Sequence, residues 1–241
     1  MFGWRRRIGY IAPTVMEVVA FDFYRIAPEG IGLVGVTCNI DDWRSEEFEK
    51  GLAQISTAAE YLGSREVDYI IHGGGPLVVA RGEGFEDAIV RDIERVSRVP
   101  ATTGVRAGKE GLSAVGARRI AIASPYPPHH DQAMAAYLRS AGFEVALSEG
   151  RDMGFKQMQS LPPSEIYRFA RSVIERADDI EALYMPCPQW QSAQVVDVLE
   201  RDTGVTIVAY AHATFFSAFR TLGIKDAITG HGRLLESLSK P

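Results

Sequence analysis

Cysteine is scarce: only Cys38 and Cys187 occur in 241 residues. Two thiols make no disulfide framework, and the chain is expected in the cytoplasm. Metal-ligand spacings are missing too, with no CxxC pair and no HExxH, so no metal site is expected. Long apolar runs are absent. The first one is broken by Pro13 and Glu17, which argues against both a signal peptide and a membrane span. There is no basic excess either. Lys and Arg number 26 against 31 Asp and Glu, a net charge of −5, so charge gives no reason to expect a nucleic-acid partner. The short cluster Arg5–Arg7 reads as the solvated start of a strand. What is present is ordinary for a soluble globular protein: 46% hydrophobic and 24% charged residues, enough for one large domain or two modest ones.

Short apolar runs alternate with amphipathic stretches along the whole chain. RRIGYIAP, GIGLVGVTCNI, VDYIIHGG and VPATTG read as strands in the first half. RRIAIASP, FEVALSEG, IEALYMP and VTIVAYA read as strands in the second. Helices are expected between them, among them SEEFEKGLAQISTAAEYLGS with Ser45 as N-cap, QSAQVVDVLERDTG, and AHATFFSAFRTLG, with a short tail helix at the end. Strands separated by helices indicate an α/β protein with parallel sheets.

An internal repeat gives the architecture. RIGYIAPT from Arg7 resembles RIAIASPY from Arg119, an offset of 112 residues. DYIIHGGG from Asp68 lies over EALYMPCP from Glu181, an offset of 113. Two strand–turn units at nearly one offset predict two similar, pseudo-symmetric lobes, each a parallel four-stranded sheet flanked by helices. Lobe 1 is expected over residues 1–110 plus 215–241 and lobe 2 over 111–214. Ligands of open parallel sheets bind beyond the carboxyl ends of strands. The repeat therefore selects four turns around one interlobe cleft: Pro13-Thr14, Gly74-Gly75-Pro76, Pro125-Tyr126 and Cys187-Pro188. Gly74 and Cys187 fall at equivalent positions on opposite walls.

Four segments, IAPTVMEV, ATTGVRAGKEGLSAVGARRIAIASPY, MPCPQW and LGIKDAITGHGRLL, carry a resemblance to the aspartate/glutamate racemase superfamily. It is closest to the branch of maleate cis-trans isomerases and arylmalonate decarboxylases, and it covers essentially the whole chain. Racemases and isomerases of this superfamily place one cysteine on each wall. Here Gly74 stands for the first and Cys187 keeps the second, the asymmetry of arylmalonate decarboxylases. The resemblance thus implies cofactor-independent decarboxylation of a small malonate-type acid, aryl-substituted ones included, with Cys187 protonating an enediolate on one face. Hydrogen bonds would stabilise the enediolate, so no metal or organic cofactor is implied. Tyr126 matches the family tyrosine that can donate to the substrate carboxylate. Pro13, Thr14, Gly74, Gly75, Pro76, Ser124, Pro188 and Gln189 would bind substrate.

The sequence departs from that pattern. The two small hydroxyl residues that follow the wall glycine in arylmalonate decarboxylases are here Gly75 and Pro76, and Pro188 has no N–H to offer an oxyanion. Each lost donor matters at about 3 kcal/mol, and His72, Gln189, Gln191 and Ser124 are candidate replacements. A helix N-terminus near Gln191 would favour a thiolate if it pointed at the sulfur. His72 reads equally as a proton donor or a core histidine, and His212 as cleft-lining or packed. His129 and His130 read as surface residues at a helix start, Cys38 as core. Trp190 and Val78 beside Tyr126 would suit a bulky substituent. The GGG run lacks a Walker lysine or dinucleotide fingerprint. Two alternatives stay open: an isomerase or racemase pairing Cys187 with a non-cysteine partner such as His72, and a non-catalytic small-acid binder. The partner implied is a small carboxylic acid, with no nucleic acid or membrane; a homo-oligomer is left open.

Overall fold

The structure is a computed structural model that describes residues 3–40, 42–82 and 84–239. The first half runs β1 (Arg6–Ala12), α1 (Glu17–Ile26), β2 (Ile31–Thr37), α2 (Ser45–Ser64), β3 (Tyr69–His72), α3 (Gly75–Val79), α4 (Phe85–Ser97) and β4 (Ala101–Thr103). The second runs α5 (Gly104–Ala114), β5 (Arg119–Ser124), α6 (Pro128–Ser140), β6 (Glu144–Gly150), α7 (Phe155–Ser160), α8 (Pro163–Arg176), β7 (Ala182–Met185), α9 (Val196–Thr203), β8 (Thr206–Ala209), α10 (Tyr210–Thr221) and α11 (Arg233–Glu236).

The strands form two four-stranded parallel sheets of one topology, β2-β1-β3-β4 and β6-β5-β7-β8. The repeat holds in the register. Ile8 pairs with Tyr69, and Ile120 with Ala182. Even the carboxylates that open β3 and β7 act alike: Asp68 accepts the Arg7 N–H at 2.7 Å and Glu181 accepts the Arg119 N–H at 2.9 Å. Each pins the end of a crossover to its central strand. β3 and β7 are buried on both faces, as parallel strands covered by helices must be. The core includes Ile8, Ile70, Ile71, Ile120, Ile122, Leu183, Ile207 and Val208. α10 follows the second sheet but packs on the first half, through Phe215 against Phe23 with ring centroids 5.2 Å apart.

Three local expectations are corrected. Ser45 is the first helical residue rather than the N-cap; Arg44 holds that position without a side-chain cap. The helix expected from Gln191 begins as a 3-10 turn, Ser192–Gln194, and becomes α-helical only at Val196. Two short helices, α3 and α7, form where none was expected. At five and six residues they are too short to show a helical period.

Candidate active site

β1, β3, β5 and β7 all end toward one cavity of about 410 Å³, mouth included. Pro13 and Thr14 line it after β1, Gly74 and Pro76 after β3, Tyr126 after β5, and Cys187, Pro188 and Gln189 after β7. Gly74 and Cys187 thus share one cavity. Gly74 is left-handed, with φ of 83°, and caps α3. A Cβ there would meet Leu77 Cδ1 at 2.8 Å, so this wall is built around a bare backbone.

Cys187 is 2% exposed. The Gln189 N–H points at its sulfur across 3.3 Å. Burial pushes the thiol up to about 12, while the N–H groups of Gln189 and Trp190 and the Tyr126 hydroxyl pull the other way. Since no α-helix starts at the sulfur, desolvation wins and the thiol keeps its proton.

Tyr126 is held from behind. Ser124 Oγ accepts the Tyr126 N–H at 3.1 Å and donates to Asp131 Oδ1 at 2.8 Å. The phenol donates to the Pro186 carbonyl at 3.0 Å, and the same hydroxyl lies against the Cys187 sulfur, whose ionised form it favours. Thr14 is buried on the cavity wall. Gln189 Nε2 is engaged by the Val15 carbonyl at 2.9 Å, which leaves its Oε1 buried without a partner among the described residues.

Ser124, Gly75 and His72 do not line the cavity. Ser124 supports Tyr126 instead. Gly75 lies beside Met134, whose Cε would be 3.1 Å from a Cβ added there. His72 is buried, its Nδ1 has no partner among the described residues, and burial lowers it to about 4. It stays neutral behind the wall. His212 is likewise packed within α10. His130 is a correction: it is buried against Phe48 and Trp43, with ring centroids 5.6 and 4.7 Å away.

The rest of the wall was not foreseen. Ile40, Trp43, Phe48, Leu77, Phe155 and Met158 make it apolar, and among the described residues no Lys, Arg or His lines it. Trp43 packs against Phe155 with ring centroids 4.5 Å apart and the planes tilted by 46°, meets Tyr126 edge-on at 5.7 Å, and donates its Nε1–H to the Met153 carbonyl at 3.2 Å. It ties the loop after β2 to the segment before α7. Trp190 and Val78 are core residues and take no part in the lining. No local spacing links positions 43 and 155; the one available signal was an aromatic residue in a polar loop.

Two like parallel sheets with one thiol in the cavity at their carboxyl ends, taken with the relatives below, define an α/β enzyme of lyase or isomerase type. The chain belongs to the arylmalonate decarboxylase family, whose model matches residues 8–235. It is 25% identical to the arylmalonate decarboxylase of Bordetella bronchiseptica over 237 residues, covering 95% of this chain and 96% of that one. It is 26% identical to the maleate isomerase of Pseudomonas putida, covering 95% and 96%. Among solved structures, the maleate isomerase Iso from Pseudomonas putida S16 superposes with a TM-score of 0.90 at 21% identity, covering 97% and 99%. A crystal structure of arylmalonate decarboxylase superposes at 0.85 and 22%, covering 96% and 99%.

Proposed function

We propose that this enzyme decarboxylates a small substituted malonate-type acid and that Cys187 protonates the resulting enediolate on one face. The observation that carries this reading is the wall asymmetry: one cavity is lined by Cys187, whose burial favours the protonated thiol, and by the bare backbone of Gly74. Loss of carbon dioxide breaks a C–C bond and leaves its electron pair delocalised over the remaining carboxyl group. That carbanion needs one proton from one side. The thiol S–H supplies it, the sulfur keeps the S–H electron pair, and water restores the thiol. In this reading Thr14, buried on the cavity wall, donates its hydroxyl to the carboxylate that stays. The carboxylate that leaves faces apolar side chains, where its charge is poorly solvated and its loss is favoured. The same aromatic wall suits an aryl or otherwise bulky substituent.

A cysteine that attacks a double bond must be a thiolate, and burial of Cys187 works against that form. A racemase pairing Cys187 with His72 lacks the geometry, since His72 lies off the cavity. The test is a panel of aryl- and alkylmalonates together with maleate, followed for carbon dioxide release by wild type and Cys187→Ala. We expect release from a malonate, with the variant slower by about a hundredfold or more, the usual range for removing a general acid. Conversion of maleate to fumarate without gas would replace this reading by the isomerase one.

A further inference from the structure

One buried carboxyl group stands behind Tyr126 and does not line the cavity. Asp131, in the first turn of α6, is buried with both oxygens engaged. Oδ1 accepts the Ser124 hydroxyl at 2.8 Å, and Oδ2 accepts the Ser148 hydroxyl at 2.5 Å. Ser124 ends β5 and Ser148 lies on β6, so one side chain spans two neighbouring strands. Burial raises the carboxyl, and the two hydroxyls hold it back. Glycine makes room for the arrangement. A Cβ at Gly150 would overlap the Tyr126 carbonyl oxygen and lie 3.3 Å from Asp131 Cβ.

The cluster acts on the turn that carries Tyr126. With its own proton on Asp131, the Ser124 hydroxyl presents lone pairs to the Tyr126 N–H, 3.1 Å away. The carbonyls of Ser124, Pro125 and Tyr126 accept the N–H groups of Arg151, Met153 and Asp152 at 3.0, 2.9 and 3.2 Å. The backbone is thus held on both sides and the ring is buried, so the O–H bond is the part of Tyr126 free to turn. That hydroxyl lies against two acceptors, the Pro186 carbonyl at 3.0 Å and the Cys187 sulfur. It has one proton to give. A neutral thiol is a weak acceptor, so the proton rests on the carbonyl. A thiolate is the stronger acceptor of the two.

We propose that Asp131 is a positioning residue of the reaction: through Ser124 it fixes Tyr126 so that the phenol O–H turns from the Pro186 carbonyl to the Cys187 sulfur once the thiol has given up its proton. The proposal rests on the proton-donor reading of Cys187. In that step the S–H bond breaks, a C–H bond forms, and the electron pair stays on sulfur. The tyrosine O–H then hydrogen-bonds to sulfur without transferring its proton. Water returns the proton to sulfur, and the phenol turns back to the carbonyl. Asp131 touches neither substrate nor sulfur and acts only through Ser124 and Tyr126.

The experiment needs no substrate, so it fails or succeeds apart from the decarboxylase reading. Wild type, Tyr126→Phe, Asp131→Ala, Asp131→Asn and the double variant Tyr126→Phe/Asp131→Ala are alkylated with iodoacetamide across a pH series. Labelling of the Cys187 peptide is followed by mass spectrometry, with the buried Cys38 peptide as internal control. Loss of a hydrogen bond to a charged sulfur predicts labelling about ten- to a hundredfold slower at fixed pH in Tyr126→Phe. Loosening that bond predicts labelling about three- to tenfold slower in Asp131→Ala. The double variant should be no slower than Tyr126→Phe alone, because both changes act on one hydrogen bond. Asp131→Asn should label close to wild type, since its amide oxygen still accepts from Ser124 and its amide N–H can meet Ser148. Wild-type labelling in Asp131→Ala or in Tyr126→Phe would overturn the proposal. So would an equal slowing by Asp131→Ala with and without Tyr126, or faster labelling of Cys187 and Cys38 together, the mark of loosened packing. If Asp131→Ala does not fold, Ser124→Ala removes the acceptor of the Tyr126 N–H and is read against the same outcomes. If Cys187 labelling shifts as expected while no acid in the panel releases carbon dioxide, the decarboxylase reading falls and the positioning of Tyr126 by Asp131 stands.

Discussion

A thiol held near 12 by burial keeps its proton across the neutral range. Because the protonated form is the donor and its folded value is raised, activity should persist well above the ordinary thiol value of 9.0 and fall only as pH approaches about 12. A pH–rate profile that drops with a midpoint near 9 would contradict this. Gly74 carries the second residue-scale expectation. Gly74→Ala forces a side chain into φ of 83° and against Leu77, and should cost about 1–3 kcal/mol of stability, read by denaturant unfolding. Both residues were legible in the sequence, since a repeat that lays HGGG over MPCP marks two equivalent strand ends. The state of the thiol was not legible. It depends on how fully Pro188, Trp190 and Tyr126 exclude water, and on a helix that begins at Val196 rather than beside the sulfur.

At the scale of elements, α1 docks on the segment that follows Cys187 through one buried carboxyl group. Asp22 Oδ2 accepts the Ala193 N–H at 3.4 Å, and its Oδ1 has no partner among the described residues. Burial pushes Asp22 up to about 7, against the pull of the Ala193 N–H and Arg25. A carboxyl whose folded value is raised binds more protons folded than unfolded. Its contribution is therefore present at low pH and is lost as pH rises from about 3.8 to about 7. The melting temperature of Asp22→Asn minus that of wild type should grow over that window and then level off; a constant difference would remove Asp22 as the cause. Long helices such as α2 and α8 were legible from their apolar period. α3 and α7 were not, yet they carry Leu77, Phe155 and Met158 to the cavity. Tertiary packing, not a local pattern, folds them.

For the whole molecule, the two sheets are held together by contacts that few sequence signals announce. Glu86 on α4 accepts from Lys109 on α5 at 2.6 Å, from Thr103 at 2.6 Å and from Tyr137 on α6 at 2.8 Å. Burial alone would push Glu86 up, yet Lys109, Thr103 and Tyr137 together bring it below its ordinary value. Its stabilisation is thus present above the unfolded value of 4.5 and lost as pH falls through the folded one. Lys109 is 25% exposed, which discounts the pair, and Glu86→Gln should cost about 2 kcal/mol at neutral pH in a denaturation midpoint. Two-lobed architecture was legible because duplication repeats the strand ends. The apolar wall was not, because Trp43, Phe48 and Phe155 come from the loop before α2, from α2 itself and from α7, and meet only when both halves are folded.

The most direct test of the account follows from its one-sided geometry. A prochiral malonate should be turned over in deuterated water and the product examined by NMR. Proton delivery by Cys187 from a single wall predicts loss of carbon dioxide with one deuterium entering the α-carbon in one configuration, and no such product from Cys187→Ala. Equal deuteration of both faces, or the same product from the variant, would contradict it.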